Sequence, residues 1–186
     1  MNKCFLRFLI LNSAFFILLS AACSRKKETP PEPLPVPPID NFALKNLLSE
    51  FPGEIKTSEY AGKVQLILFL RSDDRACRSS IVEWNNLHEE FAARGLAIVG
   101  ALADNRPDDV LAVEAANLGT LFPVGLALDH VVAAFGGPSA IRAIPTAFLL
   151  SRDGKLLRTY AGYEPLQNLR DDVSRALEGQ ELAVRN

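Results

Sequence analysis

The stretch VQLILFLRSDDRAC, residues 64–77, organises the rest of the chain. Val64, Leu66, Ile67, Leu68, Phe69 and Leu70 form an apolar run of strand length, which reads as a strand buried on both faces. Arg71, Ser72, Asp73 and Asp74 break that run, and a helical pattern follows in which Ile81, Trp84, Leu87 and Phe91 share one face. A strand that feeds a helix through a polar turn puts Cys77 in the helix's first turn. Unpaired backbone N–H groups and the helix dipole favour negative charge there. The chemistry of the thiol therefore turns on how much of it is thiolate, and its nearest company, Asp73 and Asp74, is acidic.

Working outward, the first helix stops at Arg94-Gly95, and LAIVGALA at 96–103 makes a second buried strand, parallel to the first because a helix crosses between them. Asn105-Arg106-Pro107 starts another helix that ends at Leu118-Gly119. A short apolar run at 121–128 follows, and Asp129 is expected to cap a brief helix ending at Gly136-Gly137. Beyond Ile144-Pro145, residues 146–150 and 155–161 flank Ser151-Arg152-Asp153-Gly154, a hairpin turn. Pro165 opens a last helix with Leu166, Leu169, Val173 and Leu177 facing inward. Residues 40–62 read as extended or short irregular structure. The order β-α-β-α-β-α-β-β-α predicts an α/β fold, a mixed central sheet with helices on both faces.

Upstream, residues 1–22 read as a signal peptide: Lys3 and Arg7 flank an apolar run at 8–19 too short to span a bilayer, followed by small residues. The ending Leu19-Ser20-Ala21-Ala22-Cys23 resembles the lipobox of bacterial lipoproteins, with Ser20 in place of the usual Leu; the resemblance implies lipid attachment at Cys23. An ordinary secretory signal cut nearby is the alternative. Residues 23–38 contain TPPEPLPVPP at 29–38, a composition that favours extended polyproline geometry and acts as a semi-rigid spacer. The folded domain is expected over 39–186. The chain is thus read as an exported, membrane-anchored lipoprotein facing the periplasm or the cell exterior.

Of three cysteines, Cys4 leaves with the signal and Cys23 carries lipid, so Cys77 has no internal partner for a structural disulfide. It is a buried inert side chain, a reactive monothiol, or half of an intermolecular bridge. The net charge of −2 becomes −4 once Lys3 and Arg7 are removed, which does not suit nucleic acid. No glycine loop of the phosphate-cradling kind is present and no cofactor is implied. His88 and His130 lack a second ligand at metal spacing and are read as solvated or capping groups; no metal is expected. Glu83 and Trp84 are read as exposed face and core.

The run GKVQLILFLRSDDRACRSSIVEWNNLHEEF (62–91), with FPVGLALDHVVAAFGG (122–137) and AIPTAFLLSRDGKLLRTYAGY (143–163), resembles the thioredoxin-like core of the TlpA/ResA group of exported, membrane-tethered thiol-disulfide oxidoreductases. The likeness covers residues 40–177. It implies a thioredoxin-like fold, a cis proline at Pro145, and substrate pairing along the backbone that precedes it, at Ile144. It also implies that Asp73 stands at the family's tryptophan, Asp74 at the first cysteine and Cys77 at the second, so that DxxC replaces CxxC. Dithiol exchange needs one thiolate to attack and another to release the mixed disulfide, and this chain cannot complete that cycle by itself.

Asp74 is placed to cap the helix, and its charge is expected to raise the Cys77 pKa, against the helix dipole and Arg71, Arg75 and Arg78. A sluggish thiol follows. Two functions stay open. One is an oxidoreductase whose Cys77 works as a monothiol, with Asp74 beside it, on an exported protein or a small thiol or disulfide. The other is a redox-inactive module that holds an extended peptide or partner protein.

Overall fold

The computed structural model describes residues 39, 41–47 and 53–182. The signal peptide, Cys23, the proline-rich spacer and Asp40 lie outside the described residues.

Seven strands form one mixed sheet in the order β2-β1-β5-β4-β3-β6-β7. At its centre are β3 (Val64–Leu70) and β4 (Leu96–Leu102), both buried along their whole length, which is why each reads as a nearly unbroken apolar run. They pair in parallel, Val64 opposite Leu96 through Leu70 opposite Leu102. The crossover between them is α1 (Arg75–Phe91) and a short 3-10 turn that Gly95 ends at φ 102°, a left-handed conformation that costs glycine little. From β4 the chain passes through α2 (Asp108–Asn117) to β5 (Val124–Leu126), parallel to β4, and then to α3 (Asp129–Ala134). The hairpin of β6 (Thr146–Leu150) and β7 (Leu156–Ala161) lies antiparallel on the other flank of β3, and α4 (Leu166–Leu177) ends the domain. This is the thioredoxin-like α/β fold.

Alternation along β3 divides the core. Val64, Leu66, Leu68 and Leu70 pack with Cys77, Ile81, Trp84 and Leu87 of α1 and with Leu169 and Val173 of α4. On the opposite face Ile67 and Phe69 pack with Val131 and Phe135. There the rings of Phe69, Phe135 and Phe148 meet at centroid distances of 4.7 to 5.6 Å, the edge-on and tilted geometries that aromatic pairs prefer.

The structure departs from the sequence reading in two places. Residues expected to be extended or irregular include a true hairpin, β1 (Ala43–Asn46) with β2 (Glu54–Lys56), which adds to the sheet through antiparallel pairing of Lys45 with Leu126. Each strand is too short to show alternation: within them only Leu44 and Ile55 are buried. Asp129 does not cap α3. It occupies the first turn, Leu128 takes the capping position, and no side-chain bond closes that end.

Candidate functional site

Topology puts the sequence-predicted residues at one end of the sheet. β3 and β6 are antiparallel with Phe69 opposite Thr146, so Pro145, just before β6, comes at the end of β3 from which the 71–74 turn departs. The Ile144–Pro145 peptide bond is cis. Pro145 shares a small cavity of about 10 Å³ with Ser80 and Trp84, one and two turns beyond Cys77 on α1, and with Tyr160 and Tyr163. Tyr163 is exposed and donates to Glu83 Oε1 at 3.1 Å, so Glu83 is an acceptor and not simply exposed face, whereas Trp84 is core. Among the described residues no hydrogen bond engages the backbone of Ile144, while the Pro145 carbonyl accepts from Gly162 N at 2.7 Å.

Asp74 is the N-cap of α1. Its backbone is extended, and its Oδ1 accepts from Cys77 N at 2.8 Å, satisfying one of the donors that a helix start leaves open. Cys77 is a free thiol with no exposed surface. Burial pushes its pKa up to about 12. The Arg71 backbone N–H works in the opposite direction, and Asp74 adds to the rise by like-charge repulsion and by accepting a bond from the protonated thiol. The expected direction is correct, but its main cause is desolvation and not the aspartate.

Two of the three arginines expected to offset the carboxylates, Arg71 and Arg78, are committed to the turn. Arg71 pairs with Asp73 through two bonds of 3.1 Å, a fork that pulls the Asp73 pKa down and raises its own. Arg78 Nε donates to the Ser72 carbonyl at 2.6 Å.

Beneath the turn lies a polar cluster that sequence reasoning missed. Ser72 is wholly buried, and both its N–H and its hydroxyl approach Asp104 Oδ2, at 3.1 and 3.3 Å. The Asp104 side chain has no exposed surface and meets Arg106 at 3.3 Å. Arg106 donates to both oxygens of Glu114, at 2.8 and 2.6 Å, and to the Ser72 hydroxyl. The Arg106 bond, then that of Ser72, lowers the Glu114 pKa. Asp104 comes two residues after a buried strand and two before Arg106, which is the one local hint that a polar pair sits there. Nothing local joins them to Ser72.

His130 is exposed. His88 is not the solvated or capping group expected: it is half-buried, its ring stands 6.3 Å from that of Phe122, and its Nδ1 is buried without a hydrogen-bond partner among the described residues. Among the described residues no group of three or more His, Cys, Asp or Glu is placed to hold a metal, and no helix is long and apolar enough to cross a membrane.

The sequence profile of the Redoxin family matches residues 36–177. A solved structure of a candidate thiol:disulfide interchange protein DsbE from Chlorobium tepidum is similar at 25% identity, over 77% of this chain and 97% of that one, with a TM-score of 0.66. A thiol:disulfide interchange protein of the thioredoxin family from Chlorobium tepidum TLS is similar at 22% identity over 78% and 99%, TM-score 0.67. The pneumococcal exposed lipoprotein thioredoxin from Streptococcus pneumoniae TIGR4 is similar at 16% identity over 73% and 99%, TM-score 0.63. The last two speak to the fold alone. No curated protein matches the chain significantly.

Proposed function

The chain belongs to the Redoxin family, and on that premise we propose that it is a thioredoxin-fold protein of the thiol-disulfide oxidoreductase lineage that has given up dithiol exchange and serves as a tethered binding module. The observation that carries this reading is the complete burial of Cys77 under a turn capped by Asp74. Attack on a disulfide requires an accessible thiolate. Here the position of an attacking cysteine holds a carboxylate that is spent on the Cys77 N–H, and the remaining thiol is protonated and covered.

What remains serviceable is the edge beside Pro145. An unengaged Ile144 backbone next to a shallow hollow lined by Trp84, Tyr160 and Tyr163 supports pairing with an extended segment of an exported protein, added like a strand. Tethering belongs to the same proposal. It rests on the signal-like residues 1–22, Cys23 as the lipid site, and the spacer that would hold a domain of residues 39–186 away from the membrane.

The test uses the chain with Cys4 and Cys23 changed to Ser, so that Cys77 is its one thiol. In an insulin-reduction assay the expected result is turnover indistinguishable from that of Cys77→Ser. Turnover that depends on Cys77, with rapid alkylation below pH 7, would instead establish the monothiol enzyme. Asp74→Cys adds a second arm: disulfide reduction gained by that change supports an intact groove with only its nucleophile replaced.

A further inference from the structure

At the end of the sheet opposite Cys77, one polar side chain stands in a strand that is otherwise apolar. Gln65 is 6% exposed, sits opposite Ala97 and Leu150 on the neighbouring strands, and shares the face of Ile67 and Phe69. Its Oε1 is buried without a partner, and no hydrogen bond among the described residues engages either end of its amide. An amide withdrawn from water and left unpaired is costly to the fold. A leucine here would continue the strand's pattern at no such cost, so the glutamine calls for a partner that the described residues do not supply.

Gln65 lines a cavity of about 320 Å³, within the size range of small-molecule sites. Around it stand Phe42, Thr57, Ala61, Leu150 and Arg152. Asn41 also lines it, exposed and without a hydrogen bond among the described residues, while the other polar side chains are engaged. The Thr57 hydroxyl accepts from Phe42 N at 2.9 Å and donates to Phe42 O at 3.0 Å. Arg152 donates to the carbonyls of Gly62 at 2.9 Å and Leu177 at 3.3 Å, and the adjacent Asp153 is held by Lys155 at 2.8 Å. Arg152 donates only to neutral carbonyls and keeps its charge, but the buried Gln65 Oε1 needs a donor, which an anion such as a carboxylate lacks. The Gln65 carboxamide offers one donor and one acceptor side by side, above a floor of Phe42 and Leu150.

We propose that this cavity binds a small neutral amide, whose N–H and C=O pair reciprocally with the Gln65 carboxamide while its apolar part packs on Phe42 and Leu150. The site is separate from the thiol end: Gln65 and Leu70 stand ~17 Å apart along β3. It can be occupied whatever Cys77 does.

The experiment titrates the ¹⁵N-labelled full chain with hexanamide and, for comparison, with methyl pentanoate, an ester of similar size that lacks the donor. Saturable shifts of the Gln65 side-chain NH₂ resonances are expected, with neighbouring shifts at Phe42, Ala61 and Leu150. Gln65→Leu should weaken hexanamide about tenfold or more. Ala61→Trp, which plugs the cavity from an exposed position and leaves the core untouched, should do the same, so the outcome does not hang on the folding of the Gln65 variant. Unmoved Gln65 NH₂ resonances, equal affinity for the ester, or undiminished hexanamide binding by either variant would each overturn the proposal.

Discussion

Replacing Asp74 with Ala separates the two causes that keep Cys77 protonated. The cap bond from Cys77 N to Asp74 Oδ1 is 2.8 Å long, and losing such a cap costs about 1 kcal/mol. With the thiol pKa moved from 9.0 to about 12, the thiolate share at pH 7 falls from about one in a hundred to about one in 10⁵, roughly a thousandfold drop in alkylation rate. If burial is the main cause, Asp74→Ala leaves most of that suppression in place. The destabilisation itself raises exposure through unfolding by only about fivefold. The assay is iodoacetamide labelling at pH 7 with Cys77 as the single thiol, next to urea denaturation of the same proteins. The expected result is a labelling rate within about tenfold of the parent's and a stability lower by about 1 kcal/mol. A rate increase of a hundredfold or more, with the stability loss no larger, would show that the carboxylate and not desolvation silences the thiol.

Alkaline conditions should expose the same burial as a stability effect. The unfolded chain releases the Cys77 proton near 9.0 but the fold only near 12, so this contribution is intact below pH 9 and is lost as the pH rises through that window. The stability difference between the parent and Cys77→Ala should therefore fall with a slope approaching about 1.4 kcal/mol per pH unit, and a flat difference from pH 9 to 11 would refute it. Asp104→Ala removes the acceptor of the Ser72 N–H and the buried partner of Arg106, and should cost about 2–3 kcal/mol by urea denaturation. Glu114→Gln, at the exposed end of the same cluster, should cost distinctly less; equal costs would deny the buried carboxylate its role. Gly125→Ala puts a methyl 2.8 Å from Leu44 Cβ and 2.8 Å from the Lys45 carbonyl, and a loss of about 1–3 kcal/mol is expected. Gly100→Ala meets the end of the Val124 side chain at 2.8 Å, which yields more easily than backbone, so its melting temperature should fall less.

The strand-turn-helix at 64–91, the parallel partner at 96–102 and the hairpin after Pro145 were all legible in the sequence. Buried strands, an amphipathic helix and a glycine-bearing turn each write their signal within a few consecutive residues. The Asp74 cap was legible for the same reason, since a cap acts on a backbone N–H three residues ahead. The hairpin at β1 and β2 was not, because its strands are too short to show alternation and β1 is joined to the sheet only by β5, some eighty residues later. Ser72, Asp104, Arg106 and Glu114 were equally silent: four unremarkable polar residues become a cluster when parallel pairing brings the ends of β3 and β4 side by side.

The sequence by itself determined that Asp74-Arg75-Ala76-Cys77 follows the buried strand at the start of a helix and that residues 39–186 carry a single cysteine, because identity and spacing along a chain are local facts. Whether that thiol is covered, and whether the amide of Gln65 finds a partner, only the tertiary structure decided. Burial and hydrogen bonding depend on what distant segments bring to a point in space, and desolvation, which dominates the chemistry of Cys77, leaves no trace in the neighbours it has along the chain.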